Sequence, residues 1–382
     1  MNVRNTKKPE PRIQQDYLRR FDLQAYGYDN LYPQHLMAIT AASGTATLCL
    51  NRYAKFIEGF GFSEAVSGIV VNRHGETMDD LLSLCADDVA RFRGFALHVN
   101  YNVLGEVSEV QHVPFEQCRL EETDDAGHVA NVLLHPDWMG KKTRGGKTVY
   151  LTEENVRRIA VYDPAVAVAQ MEAAGGIGQY DGQILWVSMD GYGQYPVPIY
   201  DAAVTEISTD EGLGNVKYRN VRNNFLVSCM LVAKKGLPKV DDEDGDDDRQ
   251  MIADEDLIAF QGDERAGKIL YVELENDEDE PKVVEFPARN FDKEFVATDE
   301  SVVERIYAQF HQEIFYAIRI GKLGFSGDVM RDAYEYYAGE VTTEQRFIER
   351  NFGMVFRHWK DGALNDFGIM PQRYVKSEGA TV

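Results

Sequence analysis

Cysteine is scarce. The 382 residues hold four, Cys49, Cys85, Cys118 and Cys229, with no CxxC pair among them. That spacing argues against a zinc module and supplies no disulfide framework. Three of the four sit in apolar surroundings and read as small core residues. No stretch approaches 18 uncharged apolar residues, so no membrane-spanning helix is expected. The opening MNVRNTKKPEPRIQQ has cations but no apolar core behind them, unlike a secretory signal. The context these absences suggest is a reducing cytoplasm or a particle assembled there. Cations are also in deficit: 40 Lys and Arg face 63 Asp and Glu, a net charge of −23. Such a surface repels duplex phosphates and disfavours tight non-specific nucleic-acid binding, and its plainest use is solubility. Against these deficits stands a hydrophobic content of 44%, enough for ordinary cores in two or three compact units.

The motifs that carry chemistry fail one by one. Gly262-Asp-Glu-Arg-Ala-Gly267-Lys268 matches GxxxxGK, but Ile269 stands where a Ser or Thr would hold magnesium. The segment after it, Ile269–Leu274, reads as a strand, whereas a phosphate loop needs a helix there. The acidic run 241–248, DDEDGDDD, lacks the outer calcium ligands of an EF-hand: Val240 and Met251 occupy those places. Gly59-Phe-Gly61 lacks the third glycine of a dinucleotide fingerprint. The eight histidines are scattered, and Ser326 in Gly324-Phe-Ser326-Gly327 has the wrong spacing for a nucleophile elbow. No catalytic residue, metal ligand or cofactor is expected.

The pattern along the chain is α+β. Residues 1–33 read as an arm. Helical spacing runs from His35 to Phe56, interrupted at Ser43-Gly44 and ended by Gly59-Phe60-Gly61. A second helix is predicted over Met78–Phe92 behind Thr77, with Asp79 and Asp80 in its first turn. Short alternating runs follow at 95–101, 107–113, 118–121, 129–135, 156–162 and 184–189, predicting a mixed or antiparallel sheet within one domain, roughly 34–195. Residues 199–207 and 216–225 are helical in pattern, with Gly212 and Gly214 expected to weaken or bend the middle. Phe225–Val232 reads as a buried strand, and 283–286 as the return strand of a hairpin with 269–274. Thr298 is a predicted N-cap for a helix whose stripe includes Val303, Ile306, Phe310 and Ile314. The three-glycine loop Gly321-Lys322-Leu323-Gly324-Phe325-Ser326-Gly327 leads to a last long helix, Asp328 to about Trp359.

These features resemble, in order, the portal proteins of tailed bacteriophages. Tyr26-Gly-Tyr28-Asp29-Asn30-Leu-Tyr32-Pro33, a helix holding Ser43 and Asn51, and Ile57-Glu-Gly59-Phe-Gly61-Phe62 are similar to the opening of that family. Tyr195-Pro-Val-Pro198-Ile-Tyr200 with Asn220 and Asn223-Asn224-Phe225 resembles the first stem helix and its exit. Phe260-Gln-Gly262 through Leu270 resembles a clip segment, with Arg265 where Asn is common. The helix from Thr298 is similar to the second stem helix, and Glu344-Gln345-Arg-Phe-Ile348-Glu349 lies in the long wing helix. Together the motifs span most of residues 26–360.

The resemblance implies an N-terminal arm (1–33), an α+β wing (34–195), a first stem helix (196–223), a small β-containing clip (224–297) and a second stem helix (298–320) packed through Val303, Ile306, Phe310 and Ile314. A tunnel loop (321–327) and a C-terminal wing helix with a short tail (328–382) complete it. The residues after Trp359 are too few for the helical crown of many members. The function implied is structural: a homo-oligomeric ring of about twelve subunits at the portal vertex of the virion, assembled in host cytoplasm. Double-stranded DNA would pass through it without sequence specificity. Terminase, neck or adaptor, and capsid or scaffold proteins would be its partners, with Asp241, Asp242, Glu243, Asp244, Asp246, Asp247 and Asp248 on the docking face. Two other readings stand beside this one: a carboxylate-based two-domain hydrolase, and another head or neck structural protein.

Overall fold

Ser43 splits the first helical run in two. It takes an extended backbone between α1 (Tyr32–Ala42) and α2 (Gly44–Glu58), and its hydroxyl accepts from the Ala46 amide to cap α2. Gly59 closes α2 at φ +63°, where a β-carbon would collide with the Met370 carbonyl, so only glycine serves. The chain near the C-terminus is pinned there in both directions: Phe60 donates to the Met370 carbonyl and Met370 to that of Gly61. α3 (Met78–Phe92) starts at a capping box, Thr77 and Asp80 bonding each other's backbone, which stabilises the helix by about 1 kcal/mol.

In this computed structural model, residues 17–18, 21–125, 127–139, 141–144, 147–191, 193–222, 230–234, 270–274 and 291–375 are described. The chain divides into two compact units, Met1–Val204 with Ile306–Val382, and Thr205–Arg305.

The first unit opens with β1 (Tyr17–Leu18) and β2 (Leu23–Gln24), an antiparallel pair. Its strands after α3 are β3 (Gly94–Tyr101), β4 (Val107–Val113), β5 (Cys118–Leu120), β6 (Asn131–Leu134), β7 (Lys141–Arg144), β8 (Lys147–Tyr150), β9 (Arg157–Ala160) and, beyond α4 (Ala167–Ala173), β10 (Gln183–Ser188). Two antiparallel sheets form, β10-β3-β4 and β5-β6-β9, and β7 pairs with β8 as a hairpin. A parallel bridge between Val161 and Ile184 connects the two sheets. β3 is buried at nearly every position, as a central strand covered on both faces must be. α3 packs on it, α2 packs on α3, and Phe62, Phe95, Phe347, Phe352, Phe356 and Phe367 fill the space with edge and tilted ring contacts. A second apolar cluster, Phe21, Leu23, Leu133, Trp138 and Val156, lies under the β5-β6-β9 sheet.

α5 (Val204–Arg222) runs unbroken through Gly212 and Gly214, contrary to the expected bend. In the second unit it pairs with α6 (Phe291–Gln309) through Glu206–Arg305 at 3.3 Å and Lys217–Asp299 at 2.7 Å. The pairs run in opposite senses along the two helices, so these are antiparallel neighbours. Tertiary pairing of this kind offsets the roughly 1 kcal/mol that each glycine costs a helix. α6 begins at Phe291, a turn and more before the Thr298 cap the sequence suggests. β11 (Met230–Lys234) and β12 (Leu270–Leu274) pair in parallel; the expected return strand at 283–286 lies outside the described residues. The first unit ends with α7 (Glu313–Arg319), α8 (Gly327–Glu340) and α9 (Thr342–Phe356).

Candidate functional site

The helical stripe that reads as continuous from Thr298 to Ile318 is bent. α6 stops at Gln309, His311 sits at φ +54° and α7 starts at Glu313. The bend is built on Gln312, fully buried, whose amide donates to the Cys49 carbonyl and the Tyr337 hydroxyl, both at 2.8 Å, and accepts from Arg52 at 3.0 Å. Tyr337 in turn donates to the Phe310 carbonyl that the bend releases from the helix ladder. Of the four packing residues named from sequence, Ile306 and Phe310 are fully buried and Val303 and Ile314 half-buried. Phe310 stacks on Tyr200 at 5.3 Å and meets Tyr53 edge-on.

Beyond the bend, α7 ends in a Schellman motif. Gly321 at φ +77° donates to the Ile318 carbonyl, and Lys322 to that of Ala317. At the other side Ser326 caps α8, its hydroxyl accepting from the Val329 amide at 3.2 Å. Between these two fixed ends every residue from Arg319 to Asp328 is exposed. Phe325 is 80% exposed, Leu323 47% and Ile320 44%, so the loop turns its apolar side chains outward. Leaving a phenylalanine in water forgoes about 2 kcal/mol of burial. The Ser326 hydroxyl serves the α8 cap.

A second constellation explains the tyrosine-rich opening. Asn30, at φ +62°, and Arg119 of β5 are both buried. Arg119 Nε donates to Asn30 Oδ1 and Nη2 to the Asn30 carbonyl, each at 2.6 Å; Nη1 donates to the carbonyls of Cys118 and Glu116. The guanidinium lies 5.1 Å from the Trp138 ring and 5.7 Å from that of Tyr26. Burial lowers the Arg119 pKa, yet a guanidinium remains charged. Around it Tyr26 donates to the Pro196 carbonyl at 2.6 Å, Tyr195 to that of Gln24, and Tyr32 to Asp201. Tyr26 and Tyr195 stack at 4.1 Å. The motif 26–33 therefore fastens the Tyr195–Asp201 segment that leads into α5; it is a structural clamp.

Among the described residues no group of three metal-ligating side chains exists. Asp88 and the half-buried His112 bond at 2.7 Å, and burial lifts the Asp88 carboxyl to about 6. The thiols electrostatically coupled to Asp88, Cys85 and Cys118, are sealed from solvent and pushed up by burial, which keeps them protonated and unreactive. The acidic residues Asp241 to Asp248 and the Gly262–Lys268 segment lie outside the described residues.

Sequence comparison is silent: no family model and no curated protein matches. In fold the chain is similar to chains of gene transfer agent particles. A chain from the neck of an empty particle, computed with C6 symmetry, gives a TM-score of 0.48 at 12% identity, over 91% of this chain and 85% of that one. A chain from the virion of the native particle gives 0.46 at 12% identity, over 91% and 84%. One from the neck of the native particle, computed with C12 symmetry, gives 0.44 at 12% identity, over 90% and 84%.

The structure thus brings the glycine loop and the packing residues Ile306 and Phe310 into one unit, on either side of the Gln312 bend. Sequence reasoning missed Gln312 and Arg119. A glutamine in a helical stripe and an arginine in a short strand carry no pattern, and only their buried partners mark them.

Proposed function

We propose that the chain is a structural subunit of the portal type, assembling into a ring that encloses a channel for double-stranded DNA. The loop Arg319–Asp328 carries this reading. A segment that meets a passing duplex must be exposed and anchored at its roots, and this one is capped at both ends while offering Phe325 and Lys322 to solvent. The antiparallel helices α5 and α6 suit a stem, and the motifs that resemble the portal family follow the order of these elements. An acidic chain suits a conduit that repels DNA weakly over most of its surface. In this reading the ring stands at the portal vertex of a virion. Asp241 to Asp248 face the terminase during packaging and a neck protein afterwards, and no catalysis is involved.

The test is packaging by particles carrying Lys322→Glu or Phe325→Ala. Both side chains are exposed, so stability should change by no more than about 0.5 kcal/mol, while packaging or DNA retention should fall. Unaltered packaging and retention in both variants contradict the loop's role. Replacing 241–248 by a short Gly/Ser loop should impair motor docking and leave ring formation intact; an unchanged packaging rate removes the docking role.

A further inference from the structure

Between Asp29 and Arg52 no residue is Asp, Glu, Lys or Arg, the longest such run in a chain of which 27% is charged. The run builds α1 and the start of α2, and part of it faces outward. Tyr32, Leu36 and Thr40 of α1 are buried, but Met37, Ala38, Ala41 and Ala42 are exposed, as is Leu48 on α2. A helix apolar on every side belongs where both sides are covered. The corner between the two helices is fixed: Ser43 caps α2, and the Thr47 hydroxyl donates to the Thr40 carbonyl at 2.8 Å.

A second outward apolar patch stands on the turn between β3 and β4, where Val103 and Leu104 are 70% and 74% exposed. The turn is held in shape by Asn102, whose Oδ1 accepts from the Leu104 and Glu106 amides at 2.9 and 3.0 Å. α4 lies beside it: a β-carbon on Gly105 would come within 2.6 Å of the Val168 side chain, and Val168 and Ala169 are exposed. Neither Gly94–Gly105 nor Pro164–Met171 contains Asp, Glu, Lys or Arg. The two patches lie toward opposite ends of β3. α2 ends beside the start of α3, where the Phe62 amide donates to Asp79 at 3.0 Å, so its other end lies toward Phe92, and there the chain turns into Gly94. The Gln34 side chain of α1 reaches the same end, donating to the Glu116 carbonyl next to Phe115, whose ring leaves no room for a β-carbon on Gly94. The β3–β4 turn follows Tyr101, about 24 Å further along the strand.

We infer that the α1–α2 corner of one copy docks on the β3–β4 turn and α4 of a second copy, head to tail. A partner of another kind needs one patch. Two different patches toward separate ends of one strand are what each copy must carry when identical chains join in a single direction. Charge points to the same occupant. Two copies at −23 each repel, and they repel least where neither surface is charged. The centres of protein interfaces are depleted of charge for this reason, whereas a basic partner is drawn to the acidic surface instead. Both patches are held rigid before contact, which lowers the ordering cost of docking. The inference rests on the ring reading and names the contact that closes the ring.

The test is thiol cross-linking of the full chain in a Cys229→Ser background, the other three cysteines being buried. Ala41→Cys and Leu104→Cys are made singly and together, treated with a short bismaleimide and run on a denaturing gel. The double variant should give a ladder of multimers, an equal mixture of the two single variants dimers and nothing larger, and each single variant alone monomers. In parallel Ala41→Glu and Leu104→Glu, both at exposed positions, should keep the wild-type circular-dichroism spectrum and weaken self-association about tenfold or more by native mass spectrometry. Rings by mass with no ladder from the double variant overturn this contact and leave the ring reading standing. Dimers from one single variant alone show a two-fold contact and overturn head-to-tail docking. Rings kept by both Glu variants assign the patches to a different protein. Wild type that stays monomeric overturns the ring reading and the contact together.

Discussion

Arg119→Met removes a buried cation that no carboxylate bonds directly among the described residues, Glu116 acting on it only through space. In the native fold its charge is spread over neutral acceptors: the carbonyl and side-chain oxygens of Asn30 and the carbonyls of Glu116 and Cys118, at 2.6 to 3.0 Å. Removing one member of a buried charged set costs about 3–5 kcal/mol when a charge is left behind. Here the groups left behind are neutral, and two keep a second donor: Gln34 still bonds the Glu116 carbonyl, and the Tyr26 amide still bonds Asn30 Oδ1. The expected loss is therefore at the low end, about 3 kcal/mol, with Asn30, held at φ +62°, losing its strongest partner. For a unit of this size about 3 kcal/mol lowers Tm by roughly 6–12 °C. Circular-dichroism melts at one fixed protein concentration read this directly. Arg119→Lys keeps the charge but not the planar fork, and should fall between wild type and the Met variant. A Met variant melting within about 2 °C of wild type refutes the clamp.

Two further outcomes are expected. Gln312→Ala strips the α6–α7 bend of its bonds to Cys49, Tyr337 and Arg52 and should cost about 2–4 kcal/mol in urea unfolding; a change under about 0.5 kcal/mol means that the bend needs no such anchor. Asp88, raised to about 6 by burial against an ordinary 3.8, holds its proton in the folded state between about pH 4 and 6 after the unfolded chain has lost it. Its contribution thus falls as pH rises through that window, by up to about 3 kcal/mol. Asp88→Asn cannot titrate, so its stability relative to wild type should climb from pH 4 to 7, and a flat difference contradicts the assignment.

Local rules that act within a few residues were legible. Thr77 with two acids behind it marks the start of α3, Ser43 divides α1 from α2, Gly59 ends α2, and alternating runs mark β3 to β6, β9 and β10, while β7 and β8 carry no such run. The exposed glycine loop also stands where the pattern puts it, although its outward-facing Phe325 could not be told from a buried one. Where tertiary bonds decide, the pattern misleads. Phe310, Ile314, Phe315 and Ile318 keep a helical period straight through the bend at His311, because the cause is a glutamine reaching Cys49 some 260 residues away. The single helix expected from Asp328 to Trp359 is likewise two, divided at the buried Val341. Conversely, Gly212 and Gly214 do not break α5, whose partner helix is beyond the reach of a sequence window.

The central claim is a ring, and the mass of the assembled protein tests it most directly. A closed heterologous interface gives one defined assembly. Native mass spectrometry of the purified full-length chain, with negative-stain images of the same sample, should show one dominant species of about a dozen subunits with a central hole, as the resemblance implies. A monodisperse monomer or a two-fold dimer at micromolar concentration, with no ring in the images, contradicts it.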